Sequence, residues 1–323
     1  MGRSGDKSFV AWLLVWVGVA ALLCLTVGPT GTQGWGYDGH HVVAEIAERN
    51  IKPLTKKALQ VYLGGKPLSS VSTLPDGYDH TPQGKWSFEL HFCNLPRDAT
   101  QFLLEYCPDP PACVVRSIAN YTRILTKQGF SGPPCSFDEK VEPCPLSFLT
   151  HFVGDIHQPL HVGYGDDEGG NLVNVTFFSK HTNLHSVWDT YMITRYLDGK
   201  PWMSLVDVLE DMMKNEPGIV QRYTSIHNVT VWADESYNFT RFDVYQFTKP
   251  QNEELDDQMK LKSPSAFNNN KEAPQLDDWY YKRNMRVVQQ RLIAGGVRLA
   301  TLLDEIFAAG GSGGPSSYLS SLL

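Results

Sequence analysis

From Trp35 onward the apolar residues recur mostly at helical spacing. In HHVVAEIAERNIKPLTKKALQVYL, Val43, Ile46 and Ala47, then Leu59, Val61 and Leu63, recur on either side of Pro53, which predicts two consecutive helices. A helix is predicted near Val114 to Lys127, where Val115, Ile118 and Leu125 share a face, and another in SFLTHFVGDIHQPLHVG up to Gln158-Pro159. Helical periodicity resumes in LHSVWDTYMITRYL, from Leu205 to Met213 and from Met285 to Phe307. Only NLVNVTFF, with Val173, Val175 and Phe177 alternating, reads as a strand. Residues 64–87, rich in Gly, Pro, Ser and Asp, read as a long loop, and 165–170 as an acidic, Gly-rich one. The expectation is a mainly helical, all-α single domain of about eight helices with one short β-hairpin.

The ends change the boundaries of that domain. Arg3 and Lys7 precede an apolar run from Phe9 to Val27, followed by small residues, so residues 1–34 read as a secretory signal peptide. The run is also long enough to span a bilayer if it were left uncleaved. The domain then covers 35–309, with a polar inserted loop at 246–275 and a flexible Gly/Ser-rich tail at 310–323.

Composition agrees with a globular chain: 323 residues, 42% hydrophobic and 20% charged, which excludes collagen, coiled-coil arrays and disorder. The net charge is −7, and loss of the leader makes the remainder more acidic still. An acidic surface gives no counterion-release drive toward duplex DNA, so a phosphate-bearing partner has to be met locally, by metals or a focused patch. Five cysteines follow the leader. The simplest bridges are Cys107 with Cys113 and Cys135 with Cys144, leaving Cys93 free or competing. Asn-x-Ser/Thr sequons at Asn120, Asn174, Asn228 and Asn238 agree with secretion and are candidate glycosylation sites.

The chemistry is carried by two His-x-x-x-Asp pairs, His151 with Asp155 and His185 with Asp189, each inside a helical pattern. Residues four apart share a helix face, so each pair converges on one point and offers the imidazole and carboxylate that zinc accepts. A single pair is usually structural. Two pairs, with His161 just past a helix-ending proline and with His40 and His91 upstream, point to a metal centre. Cleavage before Trp35 would place a free amino group, itself a possible ligand, near His40.

These residues resemble a known family, the zinc-dependent single-strand nucleases with 3′-nucleotidase activity found in fungi and plants. The resemblance is carried by WGxxGH at 35–40, the Asp76 segment, WSxxLHF at 86–92, FLTHFVGDIHQPLH at 148–161, GGNxxNVTF at 169–177, NLHSVWD at 183–189 and WAxES at 232–236. It implies a helical fold like that of the zinc phospholipases C and nucleases, with three zinc ions in a cleft. One zinc would take Asp76, His91, His151 and Asp155. A second would take His161, His185 and Asp189, and the third the amino group and carbonyl of Trp35 with His40, sharing Asp155 as a bridge. Asp76, on its loop, would both bind zinc and orient the nucleophile. The implied activity is secreted endonucleolytic cleavage of single-stranded RNA and DNA to 5′-phosphorylated products, with 3′-nucleotides as further substrates.

The resemblance also implies a base site, with Phe92 stacking on an unpaired base. Asn94 stands where several fungal members have an aspartate that binds the base. A basic residue three positions after the loop aspartate is replaced here by Asp79, with His80 next to it. The protein is expected to be a monomer without a membrane anchor once processed, secreted or delivered to a vacuole or lysosome. Alternatives are a phospholipase C-like phosphodiesterase and a zinc-stabilised binding protein without turnover.

Overall fold

The computed structural model describes residues 35–109, 113–130, 134–248, 273–312 and Leu322. The leader at 1–34, most of the polar insertion and most of the tail lie outside the described residues.

The chain folds as α1 (Tyr37–Asn50), α2 (Pro53–Tyr62), α3 (Leu74–Asp79), β1 (Cys93–Leu95), α4 (Val114–Gln128) and α5 (Pro145–Ile156). There follow β2 (Val162–Tyr164), the hairpin β3 (Asn174–Phe177) and β4 (Lys180–Asn183), and a helical run. That run consists of α6 (Leu184–Ser186), a π-helical turn (Val187–Tyr191) and α7 (Met192–Leu197). The fold closes with α8 (Met203–Asn215), α9 (Pro217–Thr224), α10 (Val229–Phe239), β5 (Gln275–Leu276) and α11 (Asp278–Ser312). The mainly helical expectation is borne out.

At the centre is α5, in which every residue from Leu146 to Ile156 is buried. A helix apolar nearly all round is one enclosed on all sides, and its two polar side chains of chemical interest, His151 and Asp155, are therefore held away from bulk water. α4 packs along one side of α5, and α1 packs along α11. The α1–α11 approach is close enough that a Cβ on Gly296 would stand 2.4 Å from Cγ2 of Ile46. Behind the site, Glu235 of α10 accepts from Arg291 and Arg298 of α11, and Arg298 also reaches Nε2 of His157 at 3.0 Å. This buried network ties α10 and α11 to the turn that ends α5.

Two expectations change. Residues 64–87 are not a long loop: they form a 3₁₀ turn at Leu68–Val71, then α3, and then the start of a second 3₁₀ segment, Lys85–His91. Leu68, Val71, Leu74 and Tyr78 are all buried, and their spacing of three, three and four is a helical stripe that the Gly, Pro and Ser around it mask. Asp76 is consequently a buried helical residue and not a loop residue. Beside the expected hairpin there are also three short strands among the described residues. β1 pairs in parallel with β2, and β5 adds in parallel to β3. Strands of two or three residues are too short to show alternation.

Cys107 is bonded to Cys113 and Cys135 to Cys144, with Cα atoms 5.3 and 5.1 Å apart. Cys93 is free and buried. Leu322 is buried, and its carbonyl accepts from the Val229 amide at the start of α10.

Candidate metal centre

Three donor groups lie together: His40 with His151 and Asp155; Asp76 with His91 and His151; and His161 with His185 and Asp189. All eight side chains are buried.

The first cluster is built on α5. The His151 Nδ1–H donates to the Ser72 carbonyl at 2.7 Å, which turns Nε2 inward. That nitrogen lies 3.1 Å from Oδ1 of Asp76, 3.0 Å from Nδ1 of His91 and 3.3 Å from Oδ2 of Asp155. His91 Nδ1 is in turn 3.2 Å from Asp155 Oδ2 and 3.7 Å from Asp76 Oδ1. Tetrahedral zinc with N and O ligands at about 2.0–2.1 Å has ligand–ligand edges of about 3.3–3.4 Å. The spacing of these four atoms brackets that value, and the residues fit a zinc ion.

Asp155 faces two ways. While Oδ2 looks into the first cluster, Oδ1 lies 3.3 Å from Nε2 of His40, an α1 residue whose ring stacks on His151 with centroids 3.9 Å apart. Both Asp155 oxygens, Asp76 Oδ1 and both His40 nitrogens are buried without a hydrogen-bond partner. Buried carboxylate oxygens with no donor to satisfy them are costly, and a shared cation removes that cost. Trp35, buried, precedes α1. The amide of Gly36 beside it donates to the Asp189 carbonyl at 2.9 Å, which ties the Trp35 end of the described chain to the helical run carrying the third donor group.

In that third group, His185 Nε2 lies 3.0 Å from Asp189 Oδ2. His185 Nδ1–H donates to the Gly169 carbonyl at 2.6 Å, and His161 Nδ1–H to the His91 carbonyl at 2.8 Å. The parallel β1–β2 pairing, with Cys93 opposite Val162, makes the second bond possible, because it sets the segments following His91 and His161 side by side. Gln158, not singled out from the sequence, is buried and donates to Asp189 Oδ1 at 2.5 Å. Its only sequence signal is its place in the HQPLH run.

Electrostatics favour neutral rings at His40 and His91 but a protonated one at His151. Burial, then the neighbouring His151, holds His40 and His91 well below the usual imidazole range. Burial pulls His151 down as well, but the carboxylates of Asp155 and Asp76 outweigh it and hold it at about 9. Burial raises Asp155 well above the carboxylate range and Asp189 to about 6.

Around the centre, Phe92 is half-buried and meets Phe88 edge to face, with ring centroids 5.4 Å apart. Asn94 is exposed on β1, and along the extended backbone from Phe92 to Asn94 the two side chains project to the same side. Asp79 is buried on α3: its side chain is 1% exposed and lies against His91 and His80. His157, Trp188 and Trp232 are buried and do not belong to the donor groups. Of the sequon asparagines, Asn120 and Asn174 are exposed. Asn228 caps α10 through its side-chain oxygen, and Asn238 donates to Asp234.

A helical protein holding three adjoining His/Asp donor groups is built for metal-assisted chemistry. A family model for S1/P1 nuclease matches residues 35–308. The chain is 32% identical to Endonuclease 4 of Arabidopsis thaliana over 300 residues, 90% of this chain and 95% of that protein. It is 28% identical to Nuclease S1 of Aspergillus oryzae over 295 residues, 85% and 92% of the two chains. To Nuclease P1 of Penicillium citrinum it is 38% identical over 175 residues, 51% and 60%. The chain belongs to the S1/P1 nuclease family, and it is an enzyme, a phosphodiesterase of the endonuclease class acting on nucleic acid. Its two disulfides fit an oxidising compartment. Among the described residues no helix is long and apolar enough to cross a membrane.

Proposed function

We propose that this is a secreted, zinc-dependent endonuclease that cleaves single-stranded RNA and DNA to 5′-phosphorylated products and also acts on 3′-nucleotides. The observation that carries the reading is the split of the Asp155 carboxylate, one oxygen toward His40 and the other toward His91 and His151, which is how a carboxylate bridges two ions. Zinc would be held by Asp76, His91, His151 and Asp155; by His161, His185 and Asp189; and by His40, Asp155 and the amino group and carbonyl of Trp35 once the leader is removed. Bound zinc supplies Lewis acidity, which makes water nucleophilic at neutral pH and offsets phosphate charge.

The protein's own groups do the rest. Asp76, whose carboxylate is 10% exposed against 7% for Asp189 and none for Asp155, would accept and orient the proton of an attacking water. Phe92, braced by Phe88, offers a ring face to an unpaired base, and Asn94 beside it offers a donor and an acceptor to the base edge. A base inside a duplex has no free face, and single-strand preference follows. Secretion, or delivery to a vacuole, is supported by the disulfides and the sequons, with Asn120 and Asn174 the accessible glycosylation sites. The folded unit is residues 35–309, acting as a monomer.

The test is incubation of the processed protein with single-stranded DNA and RNA, with and without a chelator, scoring 5′-phosphorylated nucleotides. Release that chelation abolishes and zinc restores is expected. Chelator-resistant release, or none from zinc-loaded protein, overturns the reading, and a phosphatidylcholine arm in the same assay then decides for a phospholipase C-like activity.

A further inference from the structure

Three of the imidazoles facing the centre have their outward nitrogen held by a backbone carbonyl: His151 by Ser72, His161 by His91 and His185 by Gly169. His91 has no such carbonyl. Its Nδ1 faces the donor cluster, and its Nε2 is buried without a hydrogen-bond partner. The group across from that nitrogen is Asp79, whose Oδ2 lies 3.8 Å away and is likewise buried without a hydrogen-bond partner. The other Asp79 oxygen is already taken by Nδ1 of His80. A buried donor site and a buried acceptor face each other, and a closure of about 1 Å brings them into hydrogen-bond range.

The geometry points to Asp79 as the positioning residue of His91: its carboxylate accepts the Nε2–H of His91 and fixes the ring with Nδ1 toward the metal. The inference rests on the proposed role of His91 as a ligand. A carboxylate behind a ligating imidazole sets the tautomer and raises the basicity of the ligating nitrogen. α3 accomplishes both tasks by spacing, since Asp76 and Asp79 are three apart and lie on one face of the helix. Asp76 supplies an oxygen to the cluster and Asp79 supports the ligand beside it. A long cationic side chain at position 79 would bring charge against Nε2 of His91 and remove the acceptor. The acidic residue here is therefore directed at the metal and not at the substrate.

The test compares the full processed chain with its Asp79→Asn and Asp79→Glu variants. Zinc is titrated against a competing chelator, and the visible spectrum of the cobalt-substituted protein is recorded. Asp79→Asn should weaken zinc binding roughly 10–100-fold and shift the cobalt bands, while Asp79→Glu, which keeps a carboxylate, should remain much nearer the parent in both. Parent-like zinc affinity and cobalt spectrum in Asp79→Asn overturn the inference. Should Asp79→Asn not fold, the zinc-loaded parent decides: a slowly exchanging, downfield Nε2–H resonance of His91 supports the pairing and its absence refutes it. A parent protein that takes up no zinc fails at the ligand assignment itself, a result distinct from equal binding by parent and variant.

Discussion

Gly154 and His40 occupy adjoining space: a Cβ on Gly154 would lie 2.6 Å from Nδ1 of the buried His40 ring. The residue before Asp155 is thus bare so that an α1 histidine can lie against α5, stacked on His151 and level with Oδ1 of Asp155. Gly154→Ala should displace His40 and with it the ion proposed to be shared by His40 and Asp155. Zinc content by elemental analysis is expected to fall by one per chain, with helical content unchanged. Unaltered zinc content would show that His40 holds no ion.

Proton release on zinc loading is the second expectation. In the metal-free protein His151 sits at about 9, so at pH 7 it carries a proton that a metal must displace. Asp189, raised to about 6 by burial, holds its proton through a higher pH range than an ordinary carboxyl. A raised carboxyl favours the metal-free form as pH falls, so zinc affinity at His161, His185 and Asp189 should drop below about pH 6. Calorimetric titration in two buffers of different ionisation enthalpy reads the protons directly, and identical heats in both would refute it.

Phe92→Ala should weaken substrate binding without disturbing the metals. Stacking is worth about 1–3 kcal/mol per base, so KM for single-stranded DNA should rise roughly 5–150-fold while zinc content stays the same. An unchanged KM would make Phe92 a packing residue.

Glu235 is the fourth case. It answers two arginines that are almost wholly buried, with side chains 1% and 0% exposed, and Glu235→Ala would leave both uncompensated. Breaking such a pair costs about 3–5 kcal/mol, to be measured by urea unfolding at pH 7. Burial raises the Glu235 carboxyl, but hydrogen bonding and charge from Arg298 and Arg291 outweigh it and hold it below its usual range. That contribution is present above the ordinary carboxylate value and is lost as pH falls through the lower folded one, so parent and variant should converge in acid. A loss under 1 kcal/mol at pH 7, on the order of an exposed ion pair, would count against the buried network.

Much of this protein was legible along the chain. The pitch of a helix alone places His151 over Asp155 and His185 over Asp189, since residues four apart share a face whatever surrounds them. The long apolar periodicities of α1, α4, α5 and α11 were equally plain, because a helix that buries one stripe must repeat it. α3 and the 3₁₀ turn before it were hidden, their stripe of Leu68, Val71, Leu74 and Tyr78 set among turn-forming residues whose local preference packing overrode. What folding alone decided is the direction each ring faces. The carbonyls of Ser72, His91 and Gly169 orient His151, His161 and His185, and every residue carries such a carbonyl, so no sequence signal marks the ones that matter. Asp79 is the same case with a side chain. Its charge is visible in the sequence, but whether it meets water, phosphate or a histidine depends on which face of α3 is buried, and that is settled by the helices packed around it.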